Sequence, residues 1–170
     1  MSHRVNTFRR NDLLKTFLNH YKTCPLIKEI QVVWSDQDNQ PPLEWIDSYP
    51  SNKLFFEVHK ENSLNNRFRP LLNVTTDAVL STDEDVLVPC QDLSLLHSTW
   101  QLNPLVLVGY SPRLYAYDVI SGALKYLNWQ HTWWTGAYGI MLTKLCMLHK
   151  KSVHIHTGAH IYIYIIYLDY

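Results

Sequence analysis

Two hydrophobic periods alternate along the first hundred residues. Leu13, Leu14, Phe17, Leu18 and Tyr21 recur at helical spacing behind Asn11 and Asp12, residue types that favour helix N-caps. This helix is predicted to stop at Thr23-Cys24-Pro25, because proline disfavours helix at the residue before it. Ahead of it, Val5-Asn6-Thr7-Phe8 reads as the stub of a strand with little before it. Residues 27–34 are apolar and β-branched with Lys28, Glu29 and Gln31 between, which predicts a strand over Glu29–Trp34 and then a polar loop over 35–40. Pro41-Pro42 opens a short helix to about Tyr49, since proline suits a first helical turn. Residues 53–59 alternate and predict a third strand, and Ser63 caps a short helix through Phe68.

Residues 78–88 form the next element: an apolar run, three carboxylates (Asp83, Glu84, Asp85), then an apolar run again. Asp92 is expected to cap a helix bearing Leu93, Leu95, Leu96, Trp100 and Leu102. Residues 105–110 read as a buried strand and 113–128 as a hairpin turning at Ser121-Gly122. A last strand is expected over 138–142, with Thr143 starting a helix. This alternation of strand and helix predicts an α/β domain with a mainly parallel, covered sheet. In such sheets ligands bind beyond the carboxyl ends of the strands. Asp83 and Asp85 stand at such an end, as do the loops after Trp34 and His59.

Acids clustered at the end of a buried strand repel one another, and a hard divalent cation carrying a phosphorylated ligand would offset that. Extended backbone turns Asp83 and Asp85 to one side and Glu84 to the other. A solvated acidic turn is the competing reading of a bare D-x-D. Further pieces converge on the same edge. Arg9-Arg10 opens the first helix, where a guanidinium adds its charge to free amides and can hold a phosphate. Asn62, Asn66 and Arg67 combine amides that read a base or ribose with a guanidinium that pairs with phosphate, against a plain capped turn. Trp129, Trp133 and Trp134 could pack on a sugar, although core tryptophans are the default.

Composition narrows the classes. The 170 residues suggest one domain, and 46% hydrophobic with 18% charged residues is a core-forming mixture. Fifteen basic residues balance fifteen acidic ones, so no global charge favours nucleic acid or an anionic membrane. No G-x-G-x-x-G, Walker A, G-x-S-x-G or H-E-x-x-H occurs, nor a signal peptide or a run long enough to cross a bilayer. Cys24 and Cys90 could pair in a secretory compartment, although Cys24, Cys90 and Cys146 also read as small buried apolar residues. Asn73-Val74-Thr75 is an N-glycosylation triplet, relevant only to a chain that enters that pathway.

Several ordered motifs together resemble one family. They are Thr7-Phe8-Arg9-Arg10-Asn11-Asp12-Leu13-Leu14 with Asn19-His20-Tyr21, then Val32-Val33-Trp34, then Ser63-Leu64-Asn65-Asn66-Arg67-Phe68. Thr76-Asp77-Ala78-Val79-Leu80 with Asp83-Glu84-Asp85, Val108-Gly109 with Pro112-Arg113, and Trp133-Trp134-Thr135-Gly136-Ala137-Tyr138 complete the set. The series resembles the exostosin-like glycosyltransferase domain, glycosyltransferase family 64, and its last run looks most like the plant members.

That resemblance implies a GT-A fold, a Rossmann-like nucleotide-sugar domain. It implies a retaining transfer of an N-acetylhexosamine-type sugar from a UDP-sugar to a glycan or glycosphingolipid acceptor. The cofactor implied is manganese, with magnesium as its substitute. By position, Arg10, Asn62 and Arg67 would contact UDP, and Ser35 falls where the family often has asparagine for a ribose or base contact. Asp83 would bind the nucleoside and join Asp85 at the metal, while Glu84, usually aspartate in the family, would lie by the donor sugar as the catalytic candidate. The resemblance implies a Golgi or ER lumen setting, with membrane association through segments outside this sequence.

The resemblance divides the chain into a partial domain over 1–150 and a divergent tail over 151–170. The family's second half carries an acidic residue near the reacting sugar and basic residues that close on the diphosphate, and nothing after Lys151 resembles it. An incomplete GT-A domain is therefore expected, and a non-catalytic nucleotide-sugar-binding fragment is the alternative. The tail itself carries His154, His156 and His160, a weak metal pattern, and an aggregation-prone run of isoleucine and tyrosine.

Overall fold

The computed structural model describes residues 1–50, 53–69 and 74–151, and the backbone of 163–165. The predicted α/β class holds. Among the described residues one seven-stranded sheet carries the fold, with a three-stranded sheet beside it. In chain order the large sheet takes β1 (Ser2–Thr7), β2 (Glu29–Trp34), β3 (Leu54–Val58), β4 (Ala78–Asp83) and β5 (Leu107–Gly109). The small sheet is built from β6 (Pro112–Asp118), β7 (Ala123–Leu127) and β8 (Ile140–Met141). The chain then returns to the large sheet with β9 (Leu145–His149) and β10 (Ile163–Ile165). The spatial order β10-β5-β9-β4-β1-β2-β3 is parallel throughout except for β9, which runs antiparallel between β4 and β5.

Two helices cover one face. Helix α1 (Asn11–Tyr21) buries Leu14, Phe17, Leu18 and Tyr21. Helix α2 (Glu44–Asp47) is a single turn with Trp45 and Ile46 half-buried against the core, and α3 (Cys90–Leu102) buries Leu93, Leu96 and Trp100. They share one core with Val5, Ile30, Val32, Leu80 and Met147. Alternate strand residues face the other side, where Val79, Met141, Cys146 and Leu148 form a smaller cluster. His3 joins the helical face, with its ring against Phe17 and Tyr21, and burial pushes its pKa down to about 3, so it packs as a neutral ring.

Several expectations change. The first strand begins at Ser2, not Val5. Its polar residues Ser2 and Arg4 are buried against Glu29 and Glu57, and that pairing hides the strand from a hydrophobicity pattern. Helix α3 starts at Cys90 behind Pro89, and Asp92 lies in its first turn, where a negative charge suits the helix dipole instead of capping it. No helix starts at Thr143. Residues 145–148 are buried in the sheet, all paired with β4 and Cys146 and Met147 also with β5, and this burial decides for strand over helix. Gly109 permits the β5–β9 approach, since a Cβ there would stand 2.8 Å from the Leu145 carbonyl oxygen. Cys24 and Cys90 are joined by a disulfide linking the segment after α1 to the start of α3, while Cys146 is free and buried. Trp129, Trp133 and Trp134 lie on the short helix α4 (Trp129–Thr135) and are exposed, contrary to the core default. His154, His156, His160 and Asn73 lie outside the described residues. No helix among the described residues is long and apolar enough to cross a membrane.

Candidate active site

Parallel pairing places the ends of β1, β2 and β4 side by side. Thr7 is registered with Trp34, and Asn6 with Asp83. The chain leaves β1 through Arg9, whose φ of 56° supplies the sharp turn into α1. Arg9 itself pairs with Asp36 (3.4 Å) and Asp38 from the loop after β2, so of the two arginines only Arg10 points its charge at the acidic edge. Arg10 spans two carboxylates, with Nη1 3.2 Å from Glu84 Oε1 and Nη2 3.2 Å from Asp85 Oδ2.

Arg67 reaches the third. It lies on a 3₁₀ turn (Leu64–Phe68) capped by the Ser63 side chain, as expected from sequence. Its Nη2 donates to Asp83 Oδ1 at 2.5 Å and its Nη1 to the Thr143 carbonyl at 3.3 Å. The neighbouring Asn66 amide donates to Ser35 Oγ (3.2 Å) and to the Glu61 carbonyl (2.8 Å). Ser35, Asn66, Arg67 and Asp83 thus form one linked group, and Arg10, Glu84 and Asp85 form another at the end of the same strand. Asn62 is exposed and takes no part in the hydrogen bonds that join either group.

The expected alternation of the acids does not survive. Strand β4 ends at Asp83, and the Val86 amide bonds back to the Asp83 carbonyl (3.1 Å), closing a turn. Glu84 and Asp85 therefore meet the same guanidinium instead of pointing apart. Burial raises the pKa of the Glu84 carboxyl, and its backbone hydrogen bond and Arg10 partly offset the rise. The same two acids, Glu84 first, raise the pKa of Arg10.

Four buried polar atoms of this edge have no hydrogen-bond partner in the protein: Asn6 Oδ1, Thr7 Oγ1, Asn66 Oδ1 and Arg67 Nε. Buried polar groups are normally satisfied, so an edge with several orphans is suited to a polar ligand. Thr7 was invisible to sequence reasoning because a strand-end threonine has no distinguishing pattern. Asn66 stood beside Asn62 in the sequence, and only the turn geometry separates the buried amide from the exposed one. Among the described residues no three His, Cys, Asp or Glu side chains converge as a metal site. Asp83 and Asp85 nonetheless each keep a carboxylate oxygen outside the ion pairs above. Two hard oxygen donors fit a divalent cation that takes its remaining ligands from a diphosphate.

With this geometry in place, comparison with known proteins decides the family. The sequence model of the Glycosyl transferase family 64 domain matches residues 2–164. The chain belongs to glycosyl transferase family 64. It is 33% identical over 170 residues to glycosylinositol phosphorylceramide mannosyl transferase 1 of Arabidopsis thaliana, covering 91% of this chain and 50% of that protein. It is 35% identical over 130 residues to glucosamine inositolphosphorylceramide transferase 1 of Oryza sativa subsp. indica, covering 76% of this chain and 16% of that one. Exostosin-like 2 of Mus musculus is 33% identical over 124 residues, covering 72% and 37%. The chain therefore spans half or less of the length of these family 64 relatives. At the level of fold, it matches the crystal structure of 4-diphosphocytidyl-2C-methyl-D-erythritol synthase from Anaerococcus prevotii. That likeness has a TM-score of 0.62 and 11% identity, over 97% of this chain and 85% of that one.

Proposed function

We propose that this glycosyltransferase family domain binds a UDP-sugar at the C-terminal edge of β1, β2 and β4, in the manner of a GT-A fold, and serves a retaining transfer of an N-acetylhexosamine-type sugar to a glycan or glycolipid. The observation that carries this reading is the pairing of Arg10 and Arg67 with three consecutive carboxylates at one sheet edge, beside the orphaned atoms of Thr7 and Asn66. Ser35 and Asn66 would face the nucleoside. Arg10, at the N-terminus of α1, and Arg67 would offer charge to the diphosphate. Asp83 and Asp85 would hold manganese or magnesium, which supplies Lewis-acid stabilisation of the leaving diphosphate when bound. Glu84 would orient the donor sugar, with Arg10 fixing its carboxylate. Asn62, exposed at the mouth of the turn, would reach the nucleotide only from outside.

The relatives that act on inositol phosphorylceramides support a sphingolipid head group as the acceptor class. The Cys24–Cys90 disulfide supports an oxidising secretory compartment such as the Golgi or ER lumen. One experiment tests the reading. The purified chain is incubated with manganese, an inositol phosphorylceramide acceptor and radiolabelled UDP-N-acetylglucosamine. A parallel arm uses GDP-mannose, because one relative is named a mannosyl transferase. Label in the lipid from the UDP-sugar is the expected result. Label from GDP-mannose alone would overturn the donor assignment, and none from either would leave the domain as a nucleotide-sugar-binding module.

A further inference from the structure

Arg4 sits in the middle of the central strand, 2% exposed, where its backbone is registered with Gln31 on one side and Ser81 on the other. A full charge at the centre of a sheet is rare and costly unless paired. Its guanidinium is paired by both arms. Nη1 lies 2.7 Å from Glu57 Oε2 and Nη2 2.9 Å from Glu57 Oε1, a fork-to-fork bridge from β1 across β2 to β3. Nη1 also donates to Gln31 Oε1. Nη2 makes one more bond, 2.9 Å to the backbone carbonyl of Asn66. Glu57 is held in turn by His59 Nε2 at 2.6 Å.

The Asn66 carbonyl belongs to the 3₁₀ turn that presents Arg67 to Asp83 and the Asn66 amide to Ser35. Within the turn, hydrogen bonds run from the Asn66 amide to Ser63 and from the Arg69 amide to Asn66. Those fix its shape but not its place on the sheet. Arg4 holds its backbone from beneath, while the Asn66–Ser35 and Arg67–Asp83 bonds tie its side chains to the sheet edge. Buried ion pairs add little net stability over apolar side chains of the same size, so this one is better understood by the geometry it imposes.

We propose that Arg4, clamped by Glu57, is a positioning residue for the donor site: it docks the Leu64–Phe68 turn on the sheet so that Arg67 meets Asp83 at the distance the nucleotide needs. The inference rests on the donor reading above and extends it to a residue buried beneath the site.

The test pairs hydrogen exchange with nucleotide titration. Arg4→Met alone would strand the Glu57 carboxylate, so the variant used is Arg4→Met/Glu57→Gln, which removes both charges and keeps a hydrogen-bonding group for His59. Mass spectrometry of amide exchange in the absence of nucleotide is expected to show peptides spanning 62–69 exchanging about tenfold faster, with α1 and β4 as protected as in the wild type. Calorimetric titration with UDP and manganese is expected to show affinity reduced about tenfold, with Arg67→Ala causing no further loss on that background, because the two changes break one linkage. Unchanged exchange at 62–69 overturns the proposal. So does faster exchange everywhere, which would make the pair a general stabiliser. Independent, multiplying losses of UDP affinity overturn it as well. A wild-type chain that binds no UDP overturns the donor reading instead, and the exchange result still decides whether Arg4 docks the turn.

Discussion

Glu84 is held in a place where its charge is disfavoured. Only 6% of it is exposed, and burial raises its carboxyl pKa against the pull of Arg10. A carboxyl with a raised folded pKa binds more protons folded than unfolded, so its contribution to stability falls as pH rises through the carboxyl range. Glu84→Gln is therefore expected to raise the melting temperature at pH 7 and to lose that advantage below the ordinary carboxyl value of 4.5. Melting curves of both proteins across this window check it. A gain that persists at pH 3.5 would show that the cost lies in shape and not in charge. On the proposed donor reading such a group is tolerated because a carboxylate whose charge is disfavoured by burial is poised to gain from ligand contacts. At this scale the sequence was informative wherever residue type alone carries chemistry. The three acids, Arg10 and Arg67 were legible, and the structure brings them together. Asn66 was legible as an amide beside Arg67, but Thr7 and Arg4 were not, because their roles come from burial and from partners distant in the chain.

The elements that hold the acids are coupled on the helical side of the sheet. The Tyr21 hydroxyl donates to the Val86 carbonyl (3.2 Å) and accepts from the Val88 amide (2.9 Å), so the end of α1 grips the segment that follows the acids. His20 adds a contact of 2.9 Å to the Val88 carbonyl. The Cys24–Cys90 disulfide then locks the same two helices across a sequence separation of 66. A crosslink closing a loop of this length is worth roughly 2–4 kcal/mol. Cys24→Ala/Cys90→Ala is expected to lower unfolding free energy by about that amount in denaturant titrations, and reductant should shift the wild type but not the variant. A wild type insensitive to reductant would mean that the bond does not form. Most elements were readable because their apolar period was intact, as in α1 and β2. Strand β9 was misread because Leu145, Cys146, Met147 and Leu148 form an unbroken apolar run, and periodicity cannot separate a buried strand from a helix in such a run. The exposure of the α4 tryptophans is not legible either, since a large apolar ring reads as core by composition alone.

For the whole molecule, the strand order puts every parallel strand's carboxyl end on one side, and the ion-paired acids and arginines of the proposed site lie there. Topology was legible from the alternation of strand and helix. The antiparallel insertion of β9 was not, since it depends on a chain return that no local pattern encodes. This chain spans about half of its Arabidopsis relative, and the residues proposed to bind the donor lie within it. The proposed function therefore turns on binding: the acidic edge would take a nucleoside diphosphate together with a divalent cation. Calorimetric titration of UDP into the wild type, with and without manganese, and into Asp85→Ala with manganese, tests it most directly. The account predicts that manganese strengthens UDP binding by about tenfold or more and that Asp85→Ala abolishes the enhancement. Equal affinity in all three titrations would contradict it.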